Sequence, residues 1–202
     1  MGTHTPAYSS ALGTDIVAVG GRFVEAPVSG SRGPAEAGKL VAILAGEPGS
    51  VEDARTLIAP FCSHMFDAGV VPGAMAMKLS VNLFLIASVA ALAEAAHLAE
   101  SLSLDARLLQ KVIASSALSS EVTTAKLAKI VASDFAPQAS IRDVCKNAAL
   151  VTAAAGESPA TIPMLTAARH LFDATRASGG GDCDMAAVIR AYRSGLVASV
   201  KA

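Results

Sequence analysis

The sequence has no tryptophan, only two tyrosines and few charges: aromatic residues make up 4% and charged residues 16% of its 202 positions. Nucleic-acid binders usually rely on a basic stripe interleaved with stacking rings, and here the formal net charge is −1 with no basic block. No nucleic-acid partner is expected. Cysteine is scarce too. Cys62, Cys145 and Cys183 are odd in number and far apart, which excludes a disulfide framework and suits a reducing, cytoplasmic setting. His4, His64, His97 and His170 form no HExxH or CxxC-type constellation, so no metal site is readable. No G-x-G-x-x-G run occurs, which removes the strand-to-helix turn on which dinucleotide pyrophosphates usually rest. The opening residues MGTHTPAYSS show no leader pattern. The longest uncharged run, between Lys78 and Glu94, is shorter than the ~20 residues of a membrane span. It also contains Ser80, Asn82 and Ser88, so a helix buried in protein, and no membrane partner, is expected.

What is present is apolar: hydrophobic residues make up 52%, enough to build a sizeable core. Residues 1–20 read as a short helix ending in the turn VGGR, and residues 22–28 and 39–45 as strands bounded by Gly and Pro. PGSVEDARTLIAPF reads as a helix with Ser50 as its N-cap and Asp53 three residues on. CSHMFDAGVVPG is a connector with room for one short strand. From Gly73 onward the pattern is helical only. The helix from Met75 to about Leu98 is apolar almost all round, as expected of a central helix covered on every side. Helices follow over DARLLQKVIASSA (Asp105 as cap), SSEVTTAKLAKIVASD, SIRDVCKNAALVTAAAG (Ser140 and Asp143 as a capping box), TIPMLTAARHLFDATRAS and DMAAVIRAYRSGLVASV. Asp182 and Asp184 read as caps of the last of these. The expected layout is a small α/β part, residues 1–70, then an all-helical domain, residues 71–202.

Two constellations carry chemistry. In FVEAPVSGSRGPAEAGKLVAILAG, the Ser29, Gly30 and Ser31 turn can offer backbone N–H groups and hydroxyls to an anion such as a carboxylate. A plain strand–turn–strand, its serines bonded within their own turn, would look the same. Lys78 and Asn82 are i and i+4 on one helix face, and a lysine in so apolar a helix is unusual. Burial would lower its pKa and make proton exchange near neutral pH feasible. A lysine snorkelling at a helix end, with Asn82 bonded to a neighbouring helix, is the other reading.

Taken together, EAPVSGSRGPAEAGKL, GAMAMKLSVN, KNAALVTAAAGESPATIP and the tail GGGDCDMAAVI resemble the β-hydroxyacid (3-hydroxyisobutyrate) dehydrogenase family, in its glyoxylate and succinic semialdehyde reductase branch. The likeness covers nearly the whole chain in order. The start THTP resembles the S/T-T-x-x-P element late in the family's Rossmann domain, so the chain looks like roughly the C-terminal two-thirds of a member. The resemblance implies a mainly α fold: a helical domain of the 6-phosphogluconate dehydrogenase C-terminal type after a small α/β remnant of a Rossmann domain. It implies Lys78 as proton donor to a substrate carbonyl, Asn82 and the Ser29, Gly30 and Ser31 loop as substrate contacts, and Lys146 beside an NAD or NADP cofactor. The sequence departs from the family pattern at two places. Asn147 stands where an Asp normally follows the lysine, and VVPGAM has Pro72 and Ala74 where a Gly-x-Gly run is common. A solvated helix face is the alternative for Lys146.

The expectation is therefore the substrate-binding and proton-donating part of an oxidoreductase acting on a small aldehyde or hydroxy acid, with no dinucleotide held tightly by this chain alone. A cofactor-independent cyclase, isomerase or lyase and a non-catalytic partner subunit are the alternatives. A homodimer is expected, because the two strands would otherwise keep an open edge and an apolar face.

Overall fold

The computed structural model describes residues 1–195, so the predicted last helix beyond Gly195 lies outside them. The chain is mainly helical, and it forms two compact units: residues 1–83 with 149–161, and residues 84–148 with the segment from Ile162 onward. The first unit reaches past residue 70 into the long helix described below.

The first unit opens with α1 (Pro6–Ala18), capped by the Thr5 hydroxyl and started by a proline whose missing N–H costs nothing there. β1 (Val24–Glu25) and β2 (Val28–Ser29) are interrupted by Pro27, which has no N–H to offer a ladder. Both pair antiparallel with β3 (Leu40–Gly46) in one unbroken register, Val24 opposite Gly46 and Ser29 opposite Val41. The five-residue helix α2 (Arg32–Glu36) lies in the connection. β4 (Cys62–Asp67) adds a parallel neighbour on the other side of β3. β3 reads LVAILAG, a continuous apolar run, because both its faces are covered. Ala42 and Leu44 pack with Val51 and Ile58 of α3 (Pro48–Ile58). Ile43 and Ala45 face the other way, against Ala74.

α3 begins three residues earlier than Ser50 as its cap predicts. Pro48 occupies the first helical position, and Glu47 is the cap, accepting from the Gly49 N–H at 2.9 Å and the Ser50 N–H at 2.8 Å. These backbone bonds hold the Glu47 carboxyl below its usual pKa.

The long helix α4 (Gly73–Ser101) gives residues 73–83 to the first unit and 84–101 to the second. It is apolar all round, as read from the sequence, but the described residues do not cover it on every side. Met77, Phe84 and Leu98 are exposed, Phe84 to 74%. The helix continues past both Lys78 and Glu94, and by length and composition alone it could cross a membrane.

The second unit continues with α5 (Ala106–Ala114, capped by Asp105), α6 (Glu121–Ala132, with Ser120 and Thr123 as a capping box), the start of α7 (Ile141–Gly156), α8 (Pro163–Thr175) and α9 (Ile189–Arg193). Ser140 accepts from the Asp143 N–H at 3.1 Å, as its position predicts. Met185–Val188 and Ile189 are almost fully buried at the centre of this unit. Asp184, fully buried, caps that segment through the Ala186 N–H. It also accepts from Lys126 Nζ at 2.9 Å and from the Gln138 N–H at 2.9 Å. Asp182, expected as a second cap, instead meets Arg142 on the surface at 2.6 Å.

Burial pushes the Asp184 pKa up, but the Ala186 and Gln138 N–H groups and the Lys126 ammonium outweigh it and hold the carboxyl below its ordinary value. A depressed carboxylate adds stability that is present above its unfolded pKa of about 3.9 and lost as pH falls through the folded value. Asp184→Asn and Lys126→Met each strand a buried charge or its donors, a loss of about 3–5 kcal/mol. The expected result in calorimetry at pH 7 is a Tm lower by roughly 6–20 °C. The wild-type advantage should shrink below about pH 4.

Candidate active site

The site is built from β1 outward. Glu25 is 3% exposed, in an otherwise apolar strand. One carboxylate oxygen accepts from the N–H groups of Ala74 and Met75 at 3.0 and 3.1 Å, and the other accepts from the Ser9 hydroxyl of α1. A carboxylate at a helix N-terminus also meets the positive end of the helix dipole. Gly73, which opens α4, is required by space, since a Cβ there would sit 2.2 Å from the Ala68 carbonyl oxygen.

Lys78 and Asn82 follow on α4, about 6 Å and 12 Å along its axis from Ala74 at 1.5 Å per residue. Lys78 is half-buried, and burial lowers its pKa from the ordinary lysine value. Asn82 is 4% exposed, and its Nδ2 has no hydrogen-bond partner among the described residues. A buried N–H left unpaired costs about 1–3 kcal/mol.

The loop follows β1 in the other direction, Ser29 being about 13 Å of strand beyond Glu25. Ser29 ends β2, and Ser31 stands at the start of α2 without capping it. Gly30 has φ +130°, and a Cβ there would meet Leu40 Cδ2 at 2.6 Å, so the turn needs glycine. The hydroxyls of Ser29 and Ser31 are not bonded within their own turn. Lys78, Asn82 and the loop thus share the first unit. Lys146 is exposed on α7 and belongs to the second.

A cavity of about 930 Å³ also lies in the first unit, lined by Gly13, Val17, Phe23, Glu47 and Val70 among others. None of the predicted site residues lines it. Cys62 and Cys145 are poor nucleophile candidates, since burial pushes the Cys62 thiol up and takes Cys145 to about 11. Glu25 was not singled out by sequence reasoning, although one acid within FVEAPV is a signal. Lys126 carried none, because its partner lies 58 residues away.

Two family models match. One, described as NAD-binding of NADP-dependent 3-hydroxyisobutyrate dehydrogenase, covers residues 73–192. The other, described as the NAD binding domain of 6-phosphogluconate dehydrogenase, covers residues 1–82. Glyoxylate/succinic semialdehyde reductase 1 of Arabidopsis thaliana is 30% identical over 96% of this chain and 67% of its own length. The chain belongs to the β-hydroxyacid dehydrogenase family. The 3-hydroxyisobutyrate dehydrogenase of Mycobacterium tuberculosis, solved with L-serine, superposes with a TM-score of 0.84 at 26% identity, over 94% of this chain and 67% of that one. The family also reaches the human cytokine-like nuclear factor N-PAC, 32% identical over 88% of this chain but only 32% of that protein. The chain therefore spans between a third and two-thirds of the length of these relatives. Within the family, the mainly helical architecture expected from the sequence is the observed one.

The Lys78 environment has a measurable consequence. A lysine whose folded pKa lies below its unfolded value lowers stability while pH is under the folded pKa, and the loss is relieved as pH rises towards about 10.4. Lys78→Met removes the buried ammonium and keeps the apolar stem. Its Tm at pH 7 should exceed that of the wild type, and the gap should narrow in alkali. Differential scanning calorimetry across pH 6–10 checks this.

Proposed function

We propose that this chain is the substrate-binding and proton-donating part of a β-hydroxyacid dehydrogenase-type oxidoreductase acting on a small aldehyde or hydroxy acid. The observation that carries the reading is the pairing, one turn apart on α4, of a lysine with a depressed pKa and a buried asparagine with a free donor. Such a lysine can hold a proton at a substrate's carbonyl oxygen and release it as that oxygen becomes a hydroxyl. Asn82 Nδ2 is a ready donor for an acceptor oxygen of the same molecule. The Ser29, Gly30 and Ser31 loop offers unbonded hydroxyls to its carboxylate. These assignments follow the relatives' names, which concern glyoxylate, succinic semialdehyde and 3-hydroxyisobutyrate.

The residues present do not fit a tightly held dinucleotide. The sequence has no glycine-rich phosphate cradle, and Lys146 is one exposed charge followed by Asn147. An exposed charge contact contributes about 1 kcal/mol or less, whereas micromolar binding needs about 8 kcal/mol. Lys146 is accordingly proposed as a weak NAD(P)H contact only. That mismatch favours, as a second reading, acid–base chemistry by Lys78 without the dinucleotide. The exposed Phe66 on β4 and Phe84 on α4 support a homodimer as the working form.

Calorimetric titration with NADPH should give a dissociation constant no tighter than about millimolar. Turnover of small aldehydes with NADPH, and exchange of a hydroxy acid's α-proton in deuterated water without it, separate the two readings. Whichever activity is found, Lys78→Ala should reduce it at least ~100-fold, the scale for losing a general acid. Full activity in that variant, or micromolar NADPH binding, would refute the corresponding claim.

Sedimentation of the full chain at micromolar concentration should show a dimer, and a stable monomer would contradict it.

A further inference from the structure

The other α-helices with an identifiable side-chain cap take it from the residue immediately before them: Thr5 for α1, Glu47 for α3, Asp105 for α5, Ser120 for α6 and Ser140 for α7. α4 is different. Val71 and Pro72 precede it and offer no side-chain acceptor. Its Ala74 and Met75 N–H groups are taken instead by Glu25, about fifty residues earlier in the chain. A local cap stabilises a helix without fastening it to anything else. A cap borrowed from a strand fixes where the helix begins relative to that strand.

Two further contacts tighten the same turn. Ser9 of α1 donates to the second carboxylate oxygen, and the His4 N–H points at Met75 Sδ at 3.4 Å. The Gly73 N–H and Ala76 N–H go to the carbonyls of Val70 and Pro72, at 2.7 and 3.0 Å. All four N–H groups of the first turn are therefore placed. An acid buried this deeply in an apolar strand is costly unless fully bonded, and a threonine or valine would serve the strand better. Strand propensity does not account for Glu25, and its bonds do.

We infer that Glu25 is a positioning residue, whose buried carboxylate sets the first turn of α4, and with it Lys78 and Asn82, against the strand that leads into the Ser29, Gly30 and Ser31 loop. The inference rests on the reading of Lys78 and Asn82 as the reacting end of the site. Glu25 touches neither of them. It acts through the backbone of Ala74 and Met75, one turn before Lys78. Its shape and reach matter more than its charge, because the atoms it holds are neutral N–H groups and a hydroxyl.

The test reads Lys78 itself and needs no turnover. The full chain is labelled with ¹³C-lysine, the Lys78 signal is assigned by its absence in Lys78→Met, and its titration is followed by NMR in wild type, Glu25→Gln and Glu25→Asp. Gln keeps the length and one oxygen for the Ala74 and Met75 N–H groups, its amide N–H donating to the Ser9 hydroxyl in place of the bond lost, and should leave the Lys78 midpoint at the wild-type position. Asp retracts the carboxylate by one methylene. It should move the midpoint upward, towards that of exposed lysines, and speed amide exchange at Ala74 and Met75 by about tenfold or more. Glu25→Ala should move the midpoint at least as far if it folds, and Glu25→Asp keeps the test open if it does not. A lower Tm in Glu25→Asp with an unchanged Lys78 midpoint would make Glu25 merely structural and overturn the inference. So would a shift in Glu25→Gln as large as in Glu25→Asp, since charge would then be acting and not reach. Should Lys78→Ala keep full activity, the proton-donor reading would fail on its own, and the titration would still report whether Glu25 sets the turn.

Discussion

Taking a carboxylate out of water costs several kcal/mol unless its oxygens find donors. At Glu25 the donors come from two helices: Ser9 on α1, and the first N–H groups of α4. Satisfying that one group therefore requires strand, α1 and α4 to arrive together. The small-residue contacts behind it obey the same constraint. Ala74 is fully buried against Ile43 and Ala45 of β3, and only glycine fits at position 73 beside Ala68. A larger residue at either place would lift α4 off the carboxylate that caps it.

The second unit is organised in the same way, around Asp184. Its oxygens gather an ammonium from α6, N–H groups from residues 138 and 139, and the N–H of Ala186 in its own helical turn. In each unit one buried acid receives donors distant in sequence. Buried polar groups that are fully bonded hold their neighbours in one arrangement, because any slippage leaves a donor or acceptor bare in a low-dielectric interior.

Local signals were readable in the sequence and remote ones were not. The caps Asp105 and Ser140 were legible because a cap acts on N–H groups two or three residues away. Ser50 misled because Pro48, a better helix starter, stands two residues earlier and Glu47 reaches over it. The strand pair around β3 was legible from its Val, Ile and Leu content, but its break was decided by Pro27. Of the site, the Lys78–Asn82 spacing was readable from helix geometry alone. That Asn82 would be buried with a free Nδ2 was not, since this depends on what surrounds α4. That so apolar a helix needs more cover than the neighbouring helices give was readable from its circumference, and among the described residues Phe84 is left exposed.

The two residues most tied to the proposed chemistry are also poorly suited to folding. A leucine at position 82 would fill its buried site without stranding an amide, and a methionine at position 78 would pack its stem without a desolvated ammonium. The two costs fall three and seven residues beyond Met75, the last residue that Glu25 fastens. Among the described residues the other buried charges are bonded. Lys126 and Asp184 are buried with each other. An unpaired buried donor beside a desolvated lysine is an arrangement whose cost a ligand can repay, by accepting from Asn82 and sharing the lysine's proton. The site is therefore expected to gain more stability from a bound carboxylate or carbonyl compound than its surface charges alone would provide.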